Sequence, residues 1–168
     1  MLTDIGEYIV GAYLQLVEAC DFVDYNVRPP GGRLEGFGEL GVVGLHIEFS
    51  TAFLCEVTTH IRGLLYKDNK ETLHRFITKH ERQKEYAGKQ LGSFDNHIFM
   101  LWSLVVPVDY ITNRLIEIDG LQVVINGEYK KRIQQLKQLA KNTTHDTINS
   151  FFRMLQYWNT CEIDLAKR

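Results

Sequence analysis

Apolar residues recur at helical spacing near the start of the chain. Ile5, Ile9, Ala12, Tyr13, Leu16, Val17 and Cys20 share one face and predict a helix over 4–20. Asp4 is placed to cap it, and Glu7 follows three residues later, the spacing of a capping box. Glu7 also shares a second face with Gly11, Leu14 and Glu18, so cap and site are both open to it. The period then changes. Residues 22–27 alternate as a strand, and Pro29-Pro30-Gly31-Gly32 predicts a loop over 28–36 that carries Arg28 and Arg33. Residues 37–46, studded with Gly38, Gly41 and Gly44, and residues 52–61 read as two strands joined by a short turn.

A helix over 70–90 turns Leu73, Phe76, Ile77 and Ala87 inward, while Lys79, Gln83, Tyr86 and Gln90 line another face. Residues 97–106, HIFMLWSLVV, are almost continuously apolar and predict a strand buried on both faces. A short helix over 109–118 follows, then a strand over 121–125 closed by Asn126-Gly127. Next come a basic amphipathic helix over 128–141 and a last helix over 146–158, with the tail from 161 expected to fray. The order is α-β-β-β-α-β-α-β-α-α. A three-strand meander followed by a helical crossover gives an α/β fold with a mixed sheet, in one domain over 1–168.

One residue breaks the pattern. Glu56 sits in an apolar strand, and a carboxylate there is costly unless something pairs with it. Alternation sets Leu54, Glu56, Thr58 and His60 on one face, so an acid, a hydroxyl and an imidazole line up where a structural strand carries apolar residues. His46 and His60 could meet across the two strands, and His60 could bond Glu56. A pairing of Glu56 with Arg62 or another base in the core is the plain structural alternative.

Composition narrows the class. The chain has 168 residues, 45% of them apolar and 11% aromatic, which is ordinary for a globular protein. Three cysteines, Cys20, Cys55 and Cys161, are widely spaced and form no CxxC pair, so neither a zinc site nor a disulfide framework is indicated. No apolar run reaches the roughly 18 residues of a membrane span. The start, MLTDIGEYIV, has no basic segment, so a signal peptide is not expected and the cytoplasm is the default location. Net charge is −2, but unevenly spread. Residues 1–61 hold nine acids and two arginines, 62–89 hold eight Lys/Arg against four acids, and 128–141 hold five against one. An acidic centre between basic helices suits a metal site beside a polyanion, although a solvated helix face also explains the charge.

The element order and the 37–61 stretch together resemble the PD-(D/E)xK, or restriction-endonuclease-like, nuclease superfamily, with features of its RecB-like and Holliday-junction-resolvase-like branches. Residues 39–44, ELGVVG, are similar to the family's ELDVVG run. Residues 55–60, CEVTTH, stand in the place of its xExK, and residues 83–87, QKEYA, resemble its Gln/Tyr helix motif. The resemblance covers a core over 4–106, and 107–168 is a β/helical extension. It implies a restriction-endonuclease-like α-β-β-β-α-β core, Mg²⁺ or Mn²⁺ as cofactor, DNA as partner and a possible homodimer. It implies Glu56 and Glu7 as metal ligands, Lys79 as the lysine moved from strand to helix (Lys84 second), and Gln83 and Tyr86 as positioning groups. Arg28 and Arg33 are loop candidates for phosphate contact.

Two departures matter. Gly41 stands where the family's aspartate belongs, and Thr58 where its lysine belongs. Hard cations need oxygen ligands to polarise phosphate and activate water. Glu39 shares the strand face of position 41, but lies ~7 Å along the strand. The expected function is therefore a metal-dependent DNA endonuclease with cleavage weak or absent. The alternative is an inactive nuclease-fold module that holds nucleic acid or a protein partner.

Overall fold

The computed structural model describes residues 3–28, 39–60 and 66–166, with the backbone alone for 162–166. In chain order the elements are α1 (Ile5–Leu16), β1 (Phe22–Val27), β2 (Leu40–His46), β3 (Thr51–Thr58), α2 (Asn69–Gln90), β4 (Asn96–Ser103), α3 (Tyr110–Ile116), β5 (Leu121–Ile125), α4 (Asn126–Asn142) and α5 (Ser150–Ala166). The five strands form one mixed sheet in sequence order. β1, β2 and β3 are an antiparallel meander, and β4 and β5 continue the sheet parallel to β3. Parallel neighbours need a crossover, and α2 and α3 supply the two that are required.

The helices cover both faces. On one, α1, α4 and α5 pack over Val42, Phe53, Cys55, Met100 and Trp102. Trp102 is fully buried between Tyr13 of α1 and Tyr129 of α4, at ring-centroid distances of 5.1 and 5.8 Å. On the other, α2 and α3 cover Leu54, Leu101 and Ile125. Two glycines mark close approach to α1. A Cβ on Gly44 would come within 2.9 Å of Leu14 and Cys20, and one on Gly11 within 2.1 Å of the Tyr25 hydroxyl.

Several expectations are corrected. α1 ends at Leu16, four residues early, and Ala19 then adopts φ 53. β4 stops at Ser103, because Asn126 clamps the backbone of Val106 through two hydrogen bonds of 2.8 and 3.0 Å. Only its second half is buried on both faces. The inward face of α2 is Thr72, Phe76, His80, Gln83 and Ala87; Ile77 is instead 38% exposed. The final helix starts later than expected and continues to Ala166, into the segment expected to fray.

Asn149 explains the late start. Its Oδ1 accepts from the Phe152 amide at 3.0 Å, capping α5, while its Nδ2 donates to the Tyr8 carbonyl at 2.9 Å and to the Tyr25 hydroxyl at 3.2 Å. One buried amide thus ties α5 to α1 and β1. Asn149→Ala removes a cap and strands two acceptors, so a loss of about 2 kcal/mol is expected in urea denaturation.

Candidate functional site

The site lies where β2 and β3 part. Their ladder runs from His46↔Thr51 to Val42↔Cys55, and the next residues on the two strands are Gly41 and Glu56. On the other side of β2, Asn26 falls between the pairs Tyr25↔Val42 and Val27↔Leu40, and so beside Gly41. Asn26 has φ 52, a left-handed conformation that Asn tolerates better than most residues. Asn26, Gly41 and Glu56 therefore form a row across three strands.

Glu56 is 9% exposed, and Lys79 of α2 donates to its Oε1. Burial pushes the Glu56 carboxyl above the usual carboxylate range. Lys79 and, more weakly, Arg82 oppose that rise, and Glu7 adds to it. The lysine thus offsets only part of the desolvation. This face of β3 meets α2, as alternation requires. The described partner of Glu56 is Lys79, a pairing that the plain structural alternative also expects; Arg62 lies outside the described residues.

A raised carboxyl has a definite consequence for stability. The unfolded chain releases the Glu56 proton at a lower pH than the folded chain does. Stability is therefore lost as pH rises from the ordinary carboxylate value through the raised one. Glu56→Gln removes that loss and leaves a half-buried lysine that water can reach. The variant is expected to be more stable by about 1 kcal/mol at neutral pH. The gain should vanish below the ordinary carboxylate range, as urea titrations at the two pH values would show.

Glu7 is held as a cap. Its Oε2 accepts from the Asp4 amide at 2.8 Å, and from Asn26 Nδ2 at 3.3 Å. The second bond brings the cap to the row that holds Gly41. A Cβ added at Gly41 would meet Val57 side-chain carbons at 3.2 and 3.3 Å and the Cys55 carbonyl at 3.3 Å. Val57 belongs to the α1 face, whereas Glu56 meets α2.

The remaining expected residues divide clearly. Gln83 is buried, and its Nε2 donates to the carbonyls of Leu54 at 2.9 Å and Met100 at 3.2 Å. Its amide group therefore ties α2 to β3 and β4. The Thr58 hydroxyl donates to the Trp102 carbonyl at 3.5 Å, toward β4. Tyr86 packs half-buried in the cluster of Leu40, Val43 and Leu54, and burial raises its phenol. Lys84 is exposed. Arg28 pairs with Glu39 across β1 and β2, which takes up both. Arg33 lies outside the described residues.

The histidines do not meet. His46 opposes Thr51 at the start of β3, and His60 lies two residues beyond its end. The length of β3 separates them. His46 packs on Phe49, and His60 sits edge-on to Tyr66 with ring centroids 5.9 Å apart. Among the described residues no group of three or more His, Cys, Asp and Glu is placed to hold a metal. The row brings two carboxylates toward Gly41, Glu56 across β2 and β3 and Glu7 through Asn26, and such oxygen donors suit a hard cation when phosphate and water complete the coordination.

Periodicity missed Asn26, Arg82 and the inward turn of His80. An asparagine inside a strand is a faint sign of left-handed backbone. His80 has Nδ1 3.3 Å from Gln83 Oε1 and Nε2 3.1 Å from the Asp119 carbonyl, and only the fold brings these partners to it. Comparison with family models, with curated proteins and with solved structures gives no match.

Proposed function

We propose that this chain is a PD-(D/E)xK-type nuclease domain acting on DNA, with its metal site short of one carboxylate at Gly41. The observation that carries this reading is the meeting of Lys79 with Glu56 beside Gly41. Lys79 comes from the helix that follows β3, where a lysine moved off the strand would have to come from. The α-β-β-β-α-β order, with β4 parallel to β3, supports the same reading.

Glu56 and Glu7 would hold Mg²⁺ or Mn²⁺. The ion would polarise the phosphate and acidify a water. Lys79 orients the Glu56 carboxylate and places a positive charge where the phosphate would gain negative charge. Gln83 holds the helix that carries Lys79. With Gly41 in place, cleavage is weak or absent.

Mg²⁺-dependent plasmid nicking tests this reading in three forms of the chain: the parent, Gly41→Asp, and Gly41→Asp with Glu56→Ala. Nicking gained with aspartate and lost with Glu56 supports it. Nicking that persists without Glu56, or that never arises in a folded Gly41→Asp variant, counts against it.

The second reading is a module that binds without cutting. The occupied Glu7 cap and the neutralising Lys79–Glu56 pair favour it. DNA binding retained while Gly41→Asp stays inactive would select it.

A further inference from the structure

The nuclease reading leaves α4 without a role, although this helix has the most one-signed surface among the described elements. Between 129 and 142 stand Lys130, Lys131, Arg132, Lys137 and Lys141, and no acid. Tyr129, Leu136 and Ala140 face the core. At 100° per residue the opposite arc, roughly 160° wide, holds Lys137, Lys130, Lys141, Gln134, Gln138, Lys131, Asn142 and Gln135 in angular order. All are exposed except the half-buried Lys137. Lys131 and Arg132 pair with Glu128, whereas Lys130, Lys137 and Lys141 enter none of the ion pairs among the described residues. They form a straight row spanning about 16 Å.

α2 provides the contrast. It carries more cations, but acids interleave with them, and Arg75 and Lys89 pair with Glu71 and Glu85. That is an ordinary self-neutralised helix surface. In a chain of net charge −2, a face of lysines and amides free of acid is a different feature.

From this we infer that α4 is a docking surface for the phosphate backbone of duplex DNA. The composition of the arc selects that occupant. It has no apolar residue to enter a lipid surface, and no aromatic residue on which the bases of a single strand would stack. Lysine is depleted at protein–protein interfaces. Lysine charges and glutamine amides suit phosphate oxygens. The register Thr58↔Ser103↔Ile125 starts α4 at the same end of the sheet as Glu56 but on the face opposite α2, and the lysine row leads away from that end. The inference rests on the nucleic-acid half of the proposed function and not on its metal chemistry.

The test is fluorescence anisotropy with a short labelled DNA duplex of mixed sequence, in EDTA, across a salt series. The parent is expected to bind at low salt. Joint substitution Lys130→Gln, Lys137→Gln and Lys141→Gln is expected to weaken binding at least ~10-fold and to flatten the log–log salt slope by about 2.7, for three phosphates released. Replacing the same three lysines with arginine should retain binding, as should Lys70→Gln with Lys89→Gln on α2. All positions are at least partly solvent-facing, so unchanged thermal melting serves as the folding control. The surface is refuted if the glutamine triple binds duplex with the parent's affinity and slope. It is equally refuted if the parent does not bind duplex, or prefers single strands or anionic vesicles. α4-dependent binding together with an inactive Gly41→Asp variant removes only the metal reading. Nicking by Gly41→Asp with no effect of the α4 triple removes only this surface.

Discussion

Plasmid DNA is expected to be nicked by a Gly41→Asp variant at least ~100-fold faster than by the parent chain when Mg²⁺ or Mn²⁺ is present. That factor corresponds to about 3 kcal/mol of barrier. A carboxylate that helps hold a metal against a scissile phosphate is commonly worth this much or more, because its charge acts in a partly dry site. The backbone can accept the change, since Gly41 is not among the residues with positive φ. Space is tighter. A Cβ would sit 3.2 Å from Val57 Cγ2 and 3.3 Å from the Cys55 carbonyl. Val57 is half-buried near the end of β3 and must shift by a few tenths of an ångström. A stability cost of about 1 kcal/mol is expected, so activity should be read well below the melting temperature. The gain must vanish with Glu56→Ala. Loss of Lys79 on the aspartate background should reduce it, read at temperatures where the chain stays folded.

The second large effect is on the fold. Gln83→Ala is expected to cost about 3 kcal/mol in chemical denaturation. The side chain is 1% exposed and donates to carbonyls on two neighbouring strands, so its removal leaves a cavity and two acceptors short of a partner. His80 would lose its contact to Gln83 Oε1 as well. Because Lys79 lies one turn before Gln83 on the same helix, loosening α2 moves the lysine away from Glu56. On the Gly41→Asp background, Gln83→Ala should therefore lower nicking even at temperatures where the chain stays folded. A cost below about 1 kcal/mol would show that Gln83 does not anchor the helix.

These two positions differ in how far they could be read from the chain. The placement of position 41 beside Glu56 was legible because ELGVVG and CEVTTH lie on adjacent strands with a fixed order. Glu56 stood out because a charge inside an apolar run calls for a partner. Lys79 and Gln83 were legible as members of one helical face, but not their different fates. Four residues apart, they turn to different depths, so the lysine reaches the carboxylate while the glutamine is absorbed into the sheet. Glu7 kept two readings on spacing alone, and the hydrogen bond from the Asp4 amide established the cap.

Local patterning by itself determined the order of the ten elements and the bounds of β1 and β5. Period, turn residues and caps act within a few positions along the chain, and those signals survive without tertiary context. Packing alone decided the late start of α5, the inward turn of His80 and the row of Asn26, Gly41 and Glu56. Each depends on partners far away in sequence, such as Asn149 on Tyr8, that come together only when the sheet and its two helical layers close.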